Sequence, residues 1–288
     1  MTVRNYLSLF KLQTGALITF SSIVAFAVVS KGGISLDRLI LLVVVMMMAT
    51  ASSAALNHYF DMDIDRVMER TRNRPLSSGK IKSPGKAFFV AISLFLASLL
   101  ISIVTLNYLV ALHIFLGAFV YVVVYTVWLK RRSSINIVIG GLAGSLAVLA
   151  GSASARPEFC LPPILIAIIV FLWTPSHFWS FAIVHREEYG KAGIPMLPVI
   201  IGEKRTALYI FLNTSILFLA SLLPFFLGYM GRIYFISALA IGTFFIIRNV
   251  QLLLRPSKEM AWKNFKASMV YLSVLFFAIL LDIGIKVL

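Results

Sequence analysis

Asn57, Asp61 and Asp65 recur at intervals of four in the run Asn57-His58-Tyr59-Phe60-Asp61-Met62-Asp63-Ile64-Asp65. On a helix that spacing turns each side chain only about 40° from the last, so an amide oxygen and two carboxylates share one face while Asp63 points elsewhere. Such a set of hard oxygens suits Mg²⁺, which takes a few protein ligands and completes its shell with water and substrate phosphates. The following loop carries Arg70, Arg72, Arg74 and Lys80, forked and point-charge donors for the same phosphate oxygens. Acids and bases so paired predict a diphosphate held through Mg²⁺, with Asn57, Asp61 and Asp65 as metal ligands. The plainer alternative is a cluster of helix caps and surface ion pairs. If the acids sit at an open surface, Asp61→Asn or Asp65→Asn abolishes the chemistry and leaves the fold intact.

A second constellation runs from Phe171 to Tyr189, with His177, His185, Glu187, Glu188 and Tyr189. His177 lies about seven residues, or roughly 10 Å, inside the end of an apolar span, a depth at which ionisable groups face a cavity or a partner. Helical geometry puts His177, Phe181, Val184, His185 and Glu188 on one face. His177 is read equally as a functional imidazole or as a hydrogen-bonded core histidine. Glu187 and Glu188 are read as a further pair of metal ligands, against the alternative of a solvated helix end. The run Lys130-Arg131-Arg132 is expected to anchor a helix end, and Gly140 with Gly144 to let two backbones approach.

The elements that must position these groups are transmembrane helices. Of 288 residues 60% are hydrophobic and 13% charged, with a mean hydropathy of +0.95, a composition that a soluble core cannot absorb. Apolar spans fall near 12–30, 37–60, 86–104, 107–129, 135–155, 162–184, 206–229, 232–252 and 264–285, each near the roughly 20 residues that cross a bilayer. The expected fold is all-α, a multi-pass transmembrane bundle of nine helices forming a single domain over residues 1–288. Placing both acidic motifs inside puts 21 of the 26 Lys and Arg residues on the cytoplasmic side, with the N-terminus cytoplasmic. The net charge of +15 then describes a basic membrane face attracted to anionic lipid and substrate, and no polar domain remains to hold nucleic acid. The single cysteine, Cys160, excludes an intramolecular disulfide framework.

Asn57-x-x-x-Asp61-x-x-x-Asp65 at the end of the second span resembles the first aspartate motif of the UbiA superfamily of intramembrane prenyltransferases. Within it, Met68-Glu69-Arg70-Thr71-Arg72-Asn73-Arg74-Pro75-Leu76, Trp173-Thr174-Pro175-Ser176-His177-Phe178-Trp179, Glu188-Tyr189 and Ile194-Pro195-Met196-Leu197-Pro198 resemble the branch that farnesylates protoheme. Ser176, Ala147-Val148 and Glu188 depart from that branch, standing where Pro, a Pro pair and Asp are common. The resemblance implies transfer of farnesyl from farnesyl diphosphate to a vinyl group of heme B with addition of water, and Mg²⁺ as cofactor. It implies catalytic roles for Asp61, Asp65, His177 and Glu188, and substrate contacts from Arg70, Arg72, Arg74, Lys80 and Tyr189. It also implies a prokaryotic plasma membrane and partners in heme A biosynthesis or terminal oxidase assembly. Two rival functions remain: a relative prenylating an aromatic, quinone or lipid acceptor, and a transporter or lipid-binding protein using the acids as an ion site.

Overall fold

The computed structural model describes residues 3–30 and 33–287; Lys31 of the basic count lies outside them. Among the described residues nine helices are long and apolar enough to cross a membrane: α1 (Leu12–Ser30), α2 (Leu36–Phe60), α3 (Pro84–Leu106), α4 (Tyr108–Arg131), α5 (Asn136–Ala155), α6 (Leu161–Val184), α7 (Glu203–Phe226), α8 (Arg232–Leu254) and α9 (Lys258–Ile285). The apolar runs become helices because hydrocarbon offers the backbone no hydrogen-bond partner, and a helix satisfies its N–H and C=O groups within one segment. Neighbours in sequence pack side by side, and α9 closes back on α1 and α6. Helices α2, α5 and α6 are the most enclosed, whereas α3, α4, α7 and α8 present most of their apolar surface outward.

Small and hydroxylated residues set the closest contacts. A Cβ on Gly151 would stand 2.0 Å from the carbonyl oxygen of Ser22, so the α1–α5 contact admits only glycine there. The Ser22 hydroxyl donates to the Ala147 carbonyl of α5 at 2.7 Å, and the Ser52 hydroxyl ties α2 to the Ala91 carbonyl of α3 at 2.8 Å. Gly140 lies against Tyr125 and Gly144 against Val170, so the small-residue stripe of α5 serves packing. Ala147 and Val148 are core residues.

Helices α6 to α9 share a chain of buried side-chain hydrogen bonds. Asn213 and Thr214 of α7 reach Ser176 Oγ at 2.7 and 2.8 Å; Thr214 donates to Asn249 of α8, and Asn249 and Ser180 are joined through Asn264 of α9. Ser176 thus ties α6 to α7 with a hydroxyl that a proline would lack. Asp282, near the end of α9, accepts from the Gly231 N–H and caps α8.

Three local features bear on the site. Helix α2 is interrupted at Asp61 (φ −96°, ψ 7°) and resumes as a short helix over Met62–Val67. The hydrogen bonds Asp61 N–H to Asn57 C=O and Asp65 N–H to Asp61 C=O nevertheless keep the four-residue register. Helix α4 runs as a π-helix over Phe119–Trp128, a geometry frequent at functional sites. Lys11 joins the short helix Val3–Leu9 to α1 with φ of 45°. That left-handed conformation is uncommon outside glycine and costs roughly 1–2 kcal/mol.

Candidate active site

Asn57, Asp61 and Asp65 come together as their spacing predicts, but inside the protein: their exposures are 4%, 0% and 2%. Asp63 turns outward and pairs with Arg131 at 2.7 Å, which holds its carboxyl at a pKa of about 2. The expectation of a surface mouth is therefore corrected, because the 66–83 loop and the end of α4 fold over the acids. Asp61 Oδ2 accepts from Lys130 Nζ at 2.5 Å and from Asn57 Nδ2 at 2.7 Å. Both Asp65 oxygens accept from one guanidinium nitrogen of Arg74, at 2.7 and 2.8 Å. Asn57 also donates to Thr126 Oγ1 of the π-helical stretch, and that hydroxyl donates to the Tyr121 carbonyl at 2.8 Å.

Lys130, expected chiefly to anchor a helix end, thus contacts the acids of the candidate site. It follows Thr126 by four residues, about one helical turn, a spacing that in the sequence does not separate a site lysine from a helix-end anchor. Lys11 is a second residue the motifs did not flag. Its pKa is lowered to about 7 by burial and by the like charges of Arg74 and Lys130, with Asp65 and Asp61 opposing the shift. His58 is 2% exposed, and neither ring nitrogen has a hydrogen-bond partner.

The basic loop divides. Arg74 enters the site, and Arg70 lays its guanidinium 5.0 Å from the Phe181 ring centroid while its N–H donates to Glu188 at 3.1 Å. Arg72 remains exposed beside Glu69, and Lys80 reaches only the Asn73 carbonyl at 3.4 Å from an exposed position. Neither joins the acids in this arrangement, because the loop turns back on itself between Arg74 and Ile81.

The second constellation divides too. Glu188 takes the Arg70 N–H and contacts His185 Nδ1 at 3.0 Å. Burial would raise its pKa, but these two hydrogen bonds outweigh that and lower it. Glu187, one residue earlier and about 100° away around the short helix Arg186–Lys191, points to solvent and pairs with Lys258 at 2.8 Å. The two carboxylates are not brought together in this arrangement. Tyr189 is buried among Arg70, Arg74, Asp61 and Glu188, and burial raises the pKa of its phenol.

Among the described residues no three His, Cys, Asp or Glu side chains gather as a metal cage. Asp61 Oδ1, however, is a fully buried carboxylate oxygen without a partner. An unpaired buried oxygen beside Asp65 and Asn57 fits an ion such as Mg²⁺, which takes few protein ligands and fills its shell from phosphate and water. Deeper in α6, His177 is 8% exposed, with Trp173 and Phe265 stacked at 4.2 and 4.4 Å and Phe181 5.2 Å from Phe265.

Residues 18–280 match the model of the UbiA prenyltransferase family. Over 98% of its length the chain is 45% identical to Protoheme IX farnesyltransferase 1 of Paramagnetospirillum magneticum, covering 99% of that protein. It is 38% identical, over 97% of its length and 92% of the relative, to Protoheme IX farnesyltransferase of Thioalkalivibrio sulfidiphilus. Among solved structures it resembles a digeranylgeranylglyceryl phosphate synthase, with TM-score 0.82, 22% identity and 98% of both chains covered. It also resembles a UbiA homologue from Archaeoglobus fulgidus bound to DMAPP and Mg²⁺, with TM-score 0.67, 21% identity, and 96% and 99% of the two chains covered.

Proposed function

The chain belongs to the UbiA prenyltransferase family, and on that premise we propose that it transfers the farnesyl group of farnesyl diphosphate to a vinyl group of protoheme IX (heme B), with water adding to give a hydroxyfarnesylethyl side chain. The observation that carries this reading is the meeting of buried Asn57, Asp61 and Asp65 with Lys130, Arg74 and Lys11 at one end of an apolar helical bundle. Relatives named for heme, matched over nearly the whole chain, favour protoheme over an aromatic, quinone or lipid acceptor. A transporter needs neither a diphosphate site nor the aromatic column of α6 and α9.

The allylic C–O bond breaks with its electron pair leaving on the diphosphate. The vinyl π electrons then form the new C–C bond, and the cation left beside the porphyrin ring takes the oxygen of water, whose proton is released. Asn57, Asp61 and Asp65 would hold Mg²⁺, which supplies charge neutralisation for the leaving diphosphate. Lys130, Arg74 and Lys11 place cations where the phosphate oxygens gain charge, in surroundings dry enough to strengthen the effect. Arg70, with its N–H on Glu188 and its guanidinium on Phe181, closes the 66–83 loop over α6. Phe181, Phe265 and Trp173 form an apolar wall suited to shielding an allylic cation from premature water.

We assign the acidic ends and the N-terminus to the cytoplasmic side of a prokaryotic plasma membrane, on the strength of the basic-residue bias. Proteins of heme A biosynthesis or terminal oxidase assembly are the partners that would consume such a product. The test offers purified protein, Mg²⁺ and farnesyl diphosphate a panel of heme B, 4-hydroxybenzoate and a glycerophosphate lipid acceptor, with products read by mass spectrometry. Heme B alone should gain one farnesyl and one water; prenylation of another acceptor with heme B untouched would overturn the reading.

A further inference from the structure

A hydrogen-bond pattern on α9 defines which nitrogen of His177 carries the proton. Ser268 Oγ lies 2.6 Å from the Phe265 carbonyl oxygen and 2.7 Å from His177 Nδ1. A hydroxyl has one proton. Aimed at the imidazole, it would leave two oxygens facing each other at 2.6 Å with nothing between them. The Ser268 proton therefore goes to the carbonyl, and the Ser268 oxygen accepts from Nδ1–H. A neutral imidazole protonated at Nδ1 keeps its lone pair on Nε2, and among the described residues no group hydrogen-bonds Nε2.

The same two helices fix the ring in space. Trp173 and Phe265 cover its two faces, and Phe178 meets it edge-on at 4.9 Å. The Trp173 indole N–H donates to the Ser268 carbonyl at 2.7 Å, locking α6 to α9 at this level. A group can approach His177 only in the plane of the ring, the direction in which an Nε2 lone pair points.

We propose that Ser268 is a positioning residue that holds His177 as the Nδ1–H tautomer, so that Nε2 donates its lone pair to the iron of the porphyrin acceptor. This rests on the heme reading above, and it extends the site to α9, whose sequence carries no motif. An oriented imidazole donating its other N–H is the arrangement that strengthens metal ligation, and loss of such a partner weakens metal affinity on the order of 10- to 100-fold.

The experiment titrates heme B into purified wild type, Ser268→Ala, Ser268→Thr and His177→Ala in lipid nanodiscs without prenyl donor, following the Soret band. Wild type and Ser268→Thr should show the shifted band of a histidine-ligated heme, and His177→Ala should lack it. Ser268→Ala should bind heme B about 10- to 100-fold more weakly. Identical spectra and affinities in wild type and Ser268→Ala, or an unchanged band in His177→Ala, would overturn the proposal. ¹⁵N spectra of histidine-labelled wild type read the tautomer without any variant, and a protonated Nε2 with a bare Nδ1 counts against it. Failure of the heme reading shows separately, as absence of a farnesylated heme when donor and Mg²⁺ are supplied.

Discussion

The ion pair between Lys130 and Asp61 joins two side chains that are 11% and 0% exposed, so neither charge can be removed without consequence for the other. Asp61→Asn should abolish prenyl transfer and, contrary to expectation for a surface acid, also destabilise the protein by about 3 kcal/mol, the scale for leaving a buried charge unpaired. Combining it with Lys130→Met should recover most of that loss and no activity, which thermal unfolding in detergent and a turnover assay read independently. Arg74→Ala should raise the requirement for farnesyl diphosphate strongly and Arg72→Ala little, because Arg74 reaches the buried Asp65 whereas Arg72 pairs only with exposed Glu69. For Lys11 the folded pKa of about 7 lies below the ordinary 10.5. Between those values the unfolded chain holds a proton that the folded protein has released, so this group's contribution to stability rises with pH across the window and is least favourable below it. A diphosphate favours charged Lys11, so its binding takes up a proton above pH 7. Affinity for a non-hydrolysable farnesyl diphosphate analogue should fall as pH rises past 7, and Lys11→Met should lose that dependence. Asn57, Asp61 and Asp65 were legible because helical spacing alone aligns them. Lys130 was not, since a lysine leading a basic run at a helix end reads equally well as an anchor, and only a contact across 69 residues of chain distinguishes the two.

Glycine at position 151 shows what a helix must supply before any chemistry is possible. Gly151→Ala would drive a Cβ into the Ser22 carbonyl and push α1 away from α5. Backbone cannot yield as a side chain tip can, so the loss should reach the upper part of the roughly 1–3 kcal/mol range for overpacking, measured as a lowered unfolding temperature. Gly144→Ala, which meets only a Val170 methyl at 3.0 Å, should cost less. The apolar spans were readable to within a few residues, with α9 the main exception: it starts at Lys258, ahead of the apolar run at 264, because its polar first turn is held by Lys263 and Glu259 at 2.6 Å. Its part in the site was invisible in sequence. Phe265 and Ser268 are ordinary residues of an apolar helix until folding sets them against His177. The π-helix of α4 was equally hidden, since no residue type marks a backbone that shifts to five-residue hydrogen bonds. Glu187 stands apart from Glu188 because adjacent acids in sequence face different directions on a helix.

At the scale of the whole molecule, the nine long helices among the described residues pack into one bundle, α1 lying against α2, α5 and α9, with the acids, the cations and the basic loops at one end. Reporter fusions in the 61–86 and 186–205 loops should both fall on the cytoplasmic side, and opposite locations would contradict the charge-based orientation. On the proposed reading the acidic end binds the donor and the aromatic column of α6 and α9 faces the acceptor, so the two halves of the reaction meet only when the bundle is assembled. Mass spectrometry of hemes, on wild type and Asp61→Asn brought to equal amounts of folded protein with heme B, farnesyl diphosphate and Mg²⁺, tests that union most directly. Wild type should convert heme B to its hydroxyfarnesylethyl derivative and stop when Mg²⁺ is chelated, and Asp61→Asn should leave heme B unchanged. Equal conversion by the two proteins, or none by wild type, would contradict the account.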